Sequence, residues 1–130
     1  MILDTTFLLD LMEGLAAATQ KLDQFERDNE PLVITTPTLF ELFVGIGHSA
    51  KPDQERRKIT SIVQGQVIWD LDEKSAELGG IAHGVLLKAG KPIGAIDSMI
   101  AGVALANKED ILTRNVKHFE RFPGIRVQTY

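Results

Sequence analysis

Four polar side chains are placed along the chain so that they could build one chemical site: Asp4, Glu41, Asp97 and Asn115. Three of them are carboxylates, and carboxylates that converge in one cleft repel each other and raise each other's pKa. A hard divalent cation removes that conflict. Because the chain has no cysteine, the oxygen donors favour Mg²⁺, with Mn²⁺ as the alternative, over zinc. Such an ion can generate a hydroxide nucleophile and stabilise the charge on a reacting phosphate.

Asp97 stands near the start of a stretch, residues 94–106, that is otherwise almost entirely apolar. In a helix it would share a face with Ile100, Ala101 and Ala104, at spacings of three, four and seven residues. An ionised carboxylate on such a helix is costly to desolvate unless free N–H groups or a cation compensate it. The residue could also simply complement the helix dipole as a first-turn acid, so that it does not define a site by itself.

The elements that must position these residues alternate between short apolar strands and helices. Strands are predicted at residues 1–3, 32–34, 67–69, 111–113 and 125–127, and helices near residues 7–12, 15–29, 37–47, 53–65, 72–89 and 94–106 and after residue 115. This pattern predicts a single α/β domain over residues 1–130, with a mainly parallel central sheet of about five short strands flanked by helices. In such sheets, ligands bind outside the carboxyl ends of the strands.

The candidate residues fall at or near that edge. Asp4 lies at the carboxyl end of the first strand, and Asn115 lies two residues past the fourth. Glu41 is one turn into the helix that follows the second strand, from which it could lean back over the same edge. The joint placement, rather than any single residue, predicts the site.

Simpler interpretations exist for the same residues. Asp4 and Asn115 are both of a type that caps helix N-termini. Glu41 has the spacing for a capping box with Thr38. Pro37 argues against the box, because a proline in the first helical position places the cap at the residue directly before it.

The net charge and the length of the apolar runs exclude some classes of function for this chain. With a net charge of −4, the chain is not a strongly basic nucleic-acid binder, although a local basic patch stays open. No run reaches the ~18 apolar residues of a membrane span, and the apolar N-terminal run lacks the basic region of a signal peptide. A cytoplasmic protein that does not associate with membranes is expected.

Five stretches of the sequence resemble the motifs of PIN-domain nucleases. Residues 2–11 look like the opening of these proteins, and residues 36–42 resemble the motif with the helix-borne glutamate. Residues 95–101 resemble the third motif, the most specific of the set. Residues 112–119 and 123–127 together resemble the C-terminal motif. The likeness covers essentially the whole chain, and the closest subgroup looks like the VapC-type toxins of toxin–antitoxin pairs.

The resemblance implies a three-layer PIN-like fold and a Mg²⁺-dependent endoribonuclease that hydrolyses RNA phosphodiester bonds. It implies that Asp4 and Asp97 are the principal metal ligands and that Glu41 completes the cluster directly or through water. The residues that would support these acids by hydrogen bonding are Thr6, Ser98 and Thr113. A cognate antitoxin and a homodimer are further implications of the same likeness.

Two positions depart from the family pattern. Many members carry an acid where this chain has Asn115, and another acid is frequent where it has His118. Asparagine can supply an oxygen but no charge, which puts a second metal in doubt. A PIN-like module that binds RNA or protein with weakened catalysis therefore stays open as an alternative. A receiver-like phospho-acceptor using Asp70 is a further alternative.

Two sets of residues predict binding surfaces. Arg114, Lys117 and Arg121 recur on or beside the last helix, either as a solvated face or as a rim that contacts RNA phosphates. With a negative net charge, such a rim implies modest and salt-sensitive affinity. The second set is apolar and belongs either to the core or to a groove for an antitoxin helix: Leu8, Leu11, Met12, Leu15, Leu39, Phe40 and Phe43.

Overall fold

The computed structural model describes residues 1–130 as five strands and seven helices that alternate along the chain. The strands are β1 (Ile2–Leu3), β2 (Val33–Thr35), β3 (Val67–Trp69), β4 (Ile111–Leu112) and β5 (Val127–Gln128). The helices are α1 (Thr5–Met12), α2 (Ala16–Asp28), α3 (Thr36–His48), α4 (Pro52–Val63), α5 (Glu73–Lys88), α6 (Ala95–Asn107) and α7 (Val116–Phe119). None of the helices is long and apolar enough to cross a lipid bilayer.

The strands form one sheet in the order β3-β2-β1-β4-β5, and every pairing is parallel. In the central strand, Ile2 is in register with Val33 on one side and Ile111 on the other. The carboxyl ends of all strands therefore line one edge. This confirms the predicted sheet. The strand order also excludes the receiver-like alternative, whose sheet runs 2-1-3-4-5.

Side chains of the short strands alternate between two hydrophobic cores. Leu3, Ile34 and Leu112 face a core that includes Phe7 of α1 and Ile59 of α4. The residues one position earlier, Ile2, Val33 and Ile111, face a second core built with α5, α6 and α7. Because successive strand residues point to opposite faces, three neighbouring strands can each be apolar throughout and still bury every side chain. The result is the three-layer arrangement predicted for the chain.

Several element boundaries differ from the prediction by one or two residues, and two of these differences have a visible cause. Thr35, rather than Thr36, caps α3, and its hydroxyl accepts a hydrogen bond from the Thr38 N–H at 3.2 Å. Strand β5 begins at Val127 rather than at Ile125. The Ile125 N–H is used by a turn, donating to the Phe122 carbonyl at 3.2 Å, so the residue closes the turn instead of joining the ladder.

Helices α5 and α6 approach each other closely at a pair of glycines. A methyl group built on Gly102 would lie 2.2 Å from the Ser75 carbonyl oxygen and 2.9 Å from the Gly79 Cα. A methyl group built on Gly79 would lie 2.5 Å from the Ser98 carbonyl oxygen. Neither glycine has a positive φ, so the requirement is for space rather than for backbone conformation. This contact sets the position of α6, the helix that carries Asp97.

Replacing Gly102 by alanine is expected to lower the free energy of unfolding by about 2 kcal/mol, because overpacking outweighs the gain in helix propensity. Gly84→Ala is the matched control, since no atom lies within 4 Å of a methyl group at that site on α5; it should stabilise the fold by roughly 0.5–1 kcal/mol. Urea unfolding of both variants measures the difference. Equal stabilities would contradict the close helix approach.

Candidate active site

Asp4 is held rigidly at the carboxyl end of β1. The residue is 2% exposed, and all its side-chain hydrogen bonds fall on Oδ2. That oxygen accepts from Thr113 Oγ1 at 2.6 Å, from Thr6 Oγ1 at 2.8 Å and from the Thr6 N–H at 3.4 Å. The last contact makes Asp4 the N-cap of α1, so the capping interpretation is correct. Because every bond falls on Oδ2, the other oxygen, Oδ1, has no partner in the chain.

Thr113 joins the ends of the two central strands. Its buried hydroxyl lies 3.2 Å from Thr6 Oγ1 and accepts a hydrogen bond from the Asn115 N–H at 2.9 Å. Thr6 and Thr113 therefore contact Asp4 as predicted. Asn115 occupies the N-cap position of α7, but its side chain makes no capping hydrogen bond. The prediction that this side chain caps the helix is wrong, and its amide is left without a partner beside the Asp4 network.

Glu41 reaches the same edge of the sheet from α3. Its Oε2 accepts a hydrogen bond from Thr5 Oγ1 at 2.5 Å, and Thr5 directly follows Asp4. The capping box with Thr38 is absent, because the Thr38 hydroxyl pairs with Thr35 at 2.9 Å instead. Sequence reasoning missed Thr5, whose only signal is its position beside an acid at the end of a strand.

Asp97 lies in the first turn of α6, with its side chain 19% exposed. Burial raises its pKa, and the negative charge of Asp4 raises the pKa further. A hydrogen bond from His118 Nδ1, 2.9 Å from Asp97 Oδ2, acts in the opposite direction and lowers it. The charge of Asp4 therefore acts on the carboxyl group of Asp97, while burial remains the larger influence on its pKa.

Ser98 does not support the acids, and this prediction is wrong. Its hydroxyl lies 2.7 Å from His83 Nδ1 on α5 and donates to the Gly94 carbonyl at 3.3 Å. Adjacent helical residues point about 100° apart, so Ser98 turns toward α5 while Asp97 turns toward the sheet edge. Its role is to join the two closely packed helices.

The three predicted RNA contacts differ in their surroundings. Arg114 Nη1 donates to Asp10 Oδ1 at 2.9 Å, and Arg121 Nη1 donates to the Pro92 carbonyl at 3.1 Å. Lys117 is exposed and has no partner in the chain. The Asp10 pairing was not predicted, although an acid on the buried face of an apolar helix is the same signal that singled out Asp97.

The predicted apolar groove residues divide between core and surface. Leu8 is buried, and Leu11, Met12 and Leu39 pack against the same core. The remaining residues of the set are exposed: Leu15, Phe40 and Phe43. The two phenylalanines share an exposed face of α3 with Val44, directly beside Glu41.

The arrangement and donor chemistry of these acids suit a divalent cation only in part. No three His, Cys, Asp or Glu side chains converge as a ready metal site, so the predicted three-carboxylate cluster is not formed; Glu41 turns toward Thr5 and Asp97 toward His118. Mg²⁺, however, commonly takes only one or two carboxylates and keeps several waters. Asp4 and Asp97, two like charges with one unpaired oxygen each, fit that requirement.

Each of the three acids uses only one of its oxygens. Asp4 is bonded through Oδ2, Glu41 through Oε2 and Asp97 through Oδ2, and their second oxygens have no hydrogen-bond partner in the chain. Asp10 and Asp110 differ, since both oxygens of each are paired. One-sided pairing alone does not define a site, however, since Glu109, just before β4 at the opposite edge of the sheet, and Asp72 also use a single oxygen.

The fold and the site together define a parallel, three-layer α/β domain with acids held by threonine hydroxyls and an imidazole where its central strands end. The PIN domain family model matches residues 1–125. The chain belongs to the PIN domain family, which confirms the resemblance read from its motifs.

The chain is also similar to individual members of the family. It is 30% identical to the tRNA(fMet)-specific endonuclease VapC of Salmonella typhimurium over 108 residues, 83% of this chain and 82% of that protein. It is 29% identical to the protein of the same name from Shigella flexneri, over 99% of this chain and 96% of that protein. The crystal structure of VapBC2 from Rickettsia felis, bound to a promoter DNA fragment, matches with a TM-score of 0.90 at 25% identity, covering 99% and 97% of the chains.

Asp97→Asn is expected to stabilise the protein at neutral pH in EDTA. Because the pKa of Asp97 is raised in the folded state, its ionisation favours unfolding as the pH rises through its titration range. Below the unfolded-state pKa both states carry the proton, and the difference should vanish. Chemical denaturation from about pH 3 to about pH 7 measures it.

Asp70→Asn serves as the control for this experiment, since Asp70 is exposed and makes no hydrogen bond or ion pair. It should leave the pH dependence unchanged. An Asp97→Asn protein that is less stable than the parent at neutral pH would contradict the raised pKa of Asp97 in the folded state.

Proposed function

We propose that this chain is a Mg²⁺-dependent endoribonuclease, the toxin of a toxin–antitoxin pair. The observation that carries the proposal is a set of carboxylates at the edge of the sheet that are hydrogen-bonded through one oxygen only. Asp4, Glu41 and Asp97 are each fixed through one oxygen and leave the other unpaired. The chain's similarity to proteins named VapC supports the same activity.

Asp4 and Asp97 would hold the cation, and Glu41 would contact it through water. When bound, Mg²⁺ would supply an activated water and would stabilise the charge on the reacting phosphate. Thr113 and Thr6 keep the Asp4 carboxylate in one orientation, and Thr5 does the same for Glu41. His118 holds Asp97 through Nδ1. Such supporting contacts typically account for 10–100-fold in metal affinity or activity.

RNA is the proposed substrate, and its phosphates would meet the basic side chains beside α7. Arg114, Lys117 and Arg121 are all exposed, in or directly beside the chain's last helix. Their charge is local, because the chain as a whole carries −4. Binding is therefore expected to be modest and to weaken steeply with salt. Initiator tRNA is the first substrate to test, given the names of the two relatives.

The deciding experiment is cleavage of an initiator tRNA transcript and of an unstructured RNA. Cleavage should require Mg²⁺ or Mn²⁺, stop in EDTA, and fall at least about a hundredfold in Asp97→Asn, since a ligand should matter at least as much as the contacts that support it. Asp70→Asn should cleave like the parent protein. Cleavage that survives in Asp97→Asn would refute the proposed site.

The second candidate is a PIN-like module that binds RNA without turnover. The observation that favours it is the replacement of acids by Asn115 and His118, the latter now bonded to Asp97. It predicts RNA binding with no cleavage at any Mg²⁺ or Mn²⁺ concentration, so the same experiment separates the two functions.

The proposed antitoxin would cover the exposed apolar face of α3. Phe40, Phe43 and Val44 lie at helical spacing on that face and are 61%, 49% and 52% exposed. Because Glu41 is the neighbour of Phe40, a segment seated there would also obstruct the site. The similar structure from Rickettsia felis is a VapBC complex, which supports a partner of this kind.

Phe40→Gln and Phe43→Gln are each expected to weaken inhibition by the cognate antitoxin by about tenfold or more, as buried aromatic anchors commonly do. Inhibition of RNA cleavage by purified antitoxin measures the effect. Leu87→Gln on α5 is the matched control, being another apolar side chain of similar exposure, 52%. Equal losses in all three variants would argue against a specific site on α3.

Two further properties are proposed from the family likeness. The protein acts in the cytoplasm, where its RNA substrate is found. It forms a homodimer, for which the exposed strip of Ile81 and Val85 on α5 offers an apolar surface. Sedimentation of the purified chain determines its oligomeric state.

A further inference from the structure

A second buried carboxylate, Asp10, lies on α1 two turns from the acidic site. Its side chain is 5% exposed, and a charge at such a position requires partners. Oδ1 accepts a hydrogen bond from Arg114 Nη1 at 2.9 Å, and Oδ2 accepts one from the Tyr130 hydroxyl at 2.6 Å. With both oxygens paired, Asp10 is an anchor for these two side chains rather than a binding group itself.

Tyr130 is fixed in place by packing as well as by this hydrogen bond. Its ring meets the buried ring of Phe7 edge-on, with centroids 4.9 Å apart and planes at 75°. Burial raises the pKa of Tyr130, and the hydrogen bond to Asp10 raises it further. The phenol therefore stays protonated and keeps donating to Asp10 at physiological pH.

Both the backbone and the guanidinium of Arg114 are held by hydrogen bonds. Its backbone N–H donates to Thr6 Oγ1 at 3.2 Å, and the same hydroxyl is bonded to Asp4. Its guanidinium is held by Asp10 through Nη1 alone, and its side chain is 60% exposed. A guanidinium carries five N–H donors, so most of them remain free on a residue whose backbone adjoins the Asp4 network.

We infer that Arg114 is the residue that anchors an RNA phosphate next to the acidic site, and that Asp10 and Tyr130 are the positioning residues that hold its guanidinium for this task. The inference rests on the proposed nuclease function. Arginine suits the task because its planar fork can bind a phosphate through two parallel hydrogen bonds. A side chain already held in its binding orientation loses less entropy when the phosphate arrives.

The other two basic side chains beside α7, Lys117 and Arg121, are less well suited to anchor a phosphate. Lys117 has no partner that restrains it, and an ammonium group binds phosphate without the directional fork. Arg121 is held by the Pro92 carbonyl in the loop before α6, not by a side chain tied to Asp4. Only Arg114 is linked, through Thr6, to the carboxylate that would act on the neighbouring phosphate.

The test is the affinity of the full-length protein for an initiator tRNA transcript in EDTA, where binding is measured without cleavage. Arg114→Ala should weaken binding about tenfold, and the slope of log K against log salt should become shallower by about 0.7–0.9, the value of one lost phosphate contact. Tyr130→Phe should weaken binding about threefold by releasing the anchor. In the Arg114→Ala background, Tyr130→Phe should have no further effect.

The matched control is Arg126→Ala. Arg126 is 76% exposed and pairs with Asp110 at 2.6 Å, but this ion pair lies at the amino ends of β4 and β5, the opposite edge of the sheet. Its loss should not change RNA affinity beyond its small contribution to net charge. Arg114→Lys is the second variant, since it keeps a cation for Asp10 if the alanine variant folds poorly; it should also bind more weakly, because the fork is lost.

Equal affinities for Arg114→Ala and Arg126→Ala would overturn the inference. A Tyr130→Phe effect that persists in the Arg114→Ala background would overturn the positioning role, because a general loss of structure does not depend on Arg114. If the unaltered protein neither binds nor cleaves RNA, both the proposed function and this inference are refuted. That outcome is observed in the parent protein, so it is distinct from a failure that appears only when the variants are compared.

Discussion

The site depends on one buried carboxylate that the chain fixes from two directions. Asp4 emerges from the central strand of a parallel sheet, and the hydroxyl that holds it most closely, Thr113 Oγ1 at 2.6 Å, follows the neighbouring strand 109 residues later. A carboxylate that is 2% exposed is stable only when it is well hydrogen-bonded. The bond to Thr113 therefore satisfies the buried charge and also couples the orientation of Asp4 to the pairing of β1 with β4.

The second carboxylate is placed by helix packing instead of by strand pairing. Gly102 and Gly79 allow α6 to pack against α5 at a distance that any larger side chain would prevent. This packing holds Asp97 in a position where burial, and to a smaller extent the negative charge of Asp4, raises its pKa and makes its ionised form costly. His118 relieves part of that cost and leaves the rest in place. A bound cation would offset such a residual cost.

The sequence was sufficient to predict a parallel sheet of five short strands flanked by helices, because apolar strands buried on both faces are a local pattern. The order of the strands in the sheet was not predicted. It also singled out Asp4, Glu41 and Asp97, whose role as site residues stays a prediction, but it did not show how each is held. The partners Thr5 and Tyr130 were missed because they are distant in sequence from the acids they bind; Tyr130 is 120 residues from Asp10. Ser98 was assigned wrongly because the motif gave its position along α6 but not the direction of its side chain.

Two acids of this fold that are equally buried differ in how their carboxylate oxygens are paired. Asp10 and Asp4 are almost equally buried, at 3% and 2% exposure, yet both oxygens of Asp10 are satisfied and only one oxygen of Asp4 is. An acid that serves only the fold can settle with every lone pair engaged. An acid that must also bind something from outside needs one oxygen held and one free. Asp10 is fully engaged as an anchor for Arg114 and Tyr130, whereas Asp4 keeps one oxygen that a ligand could bind.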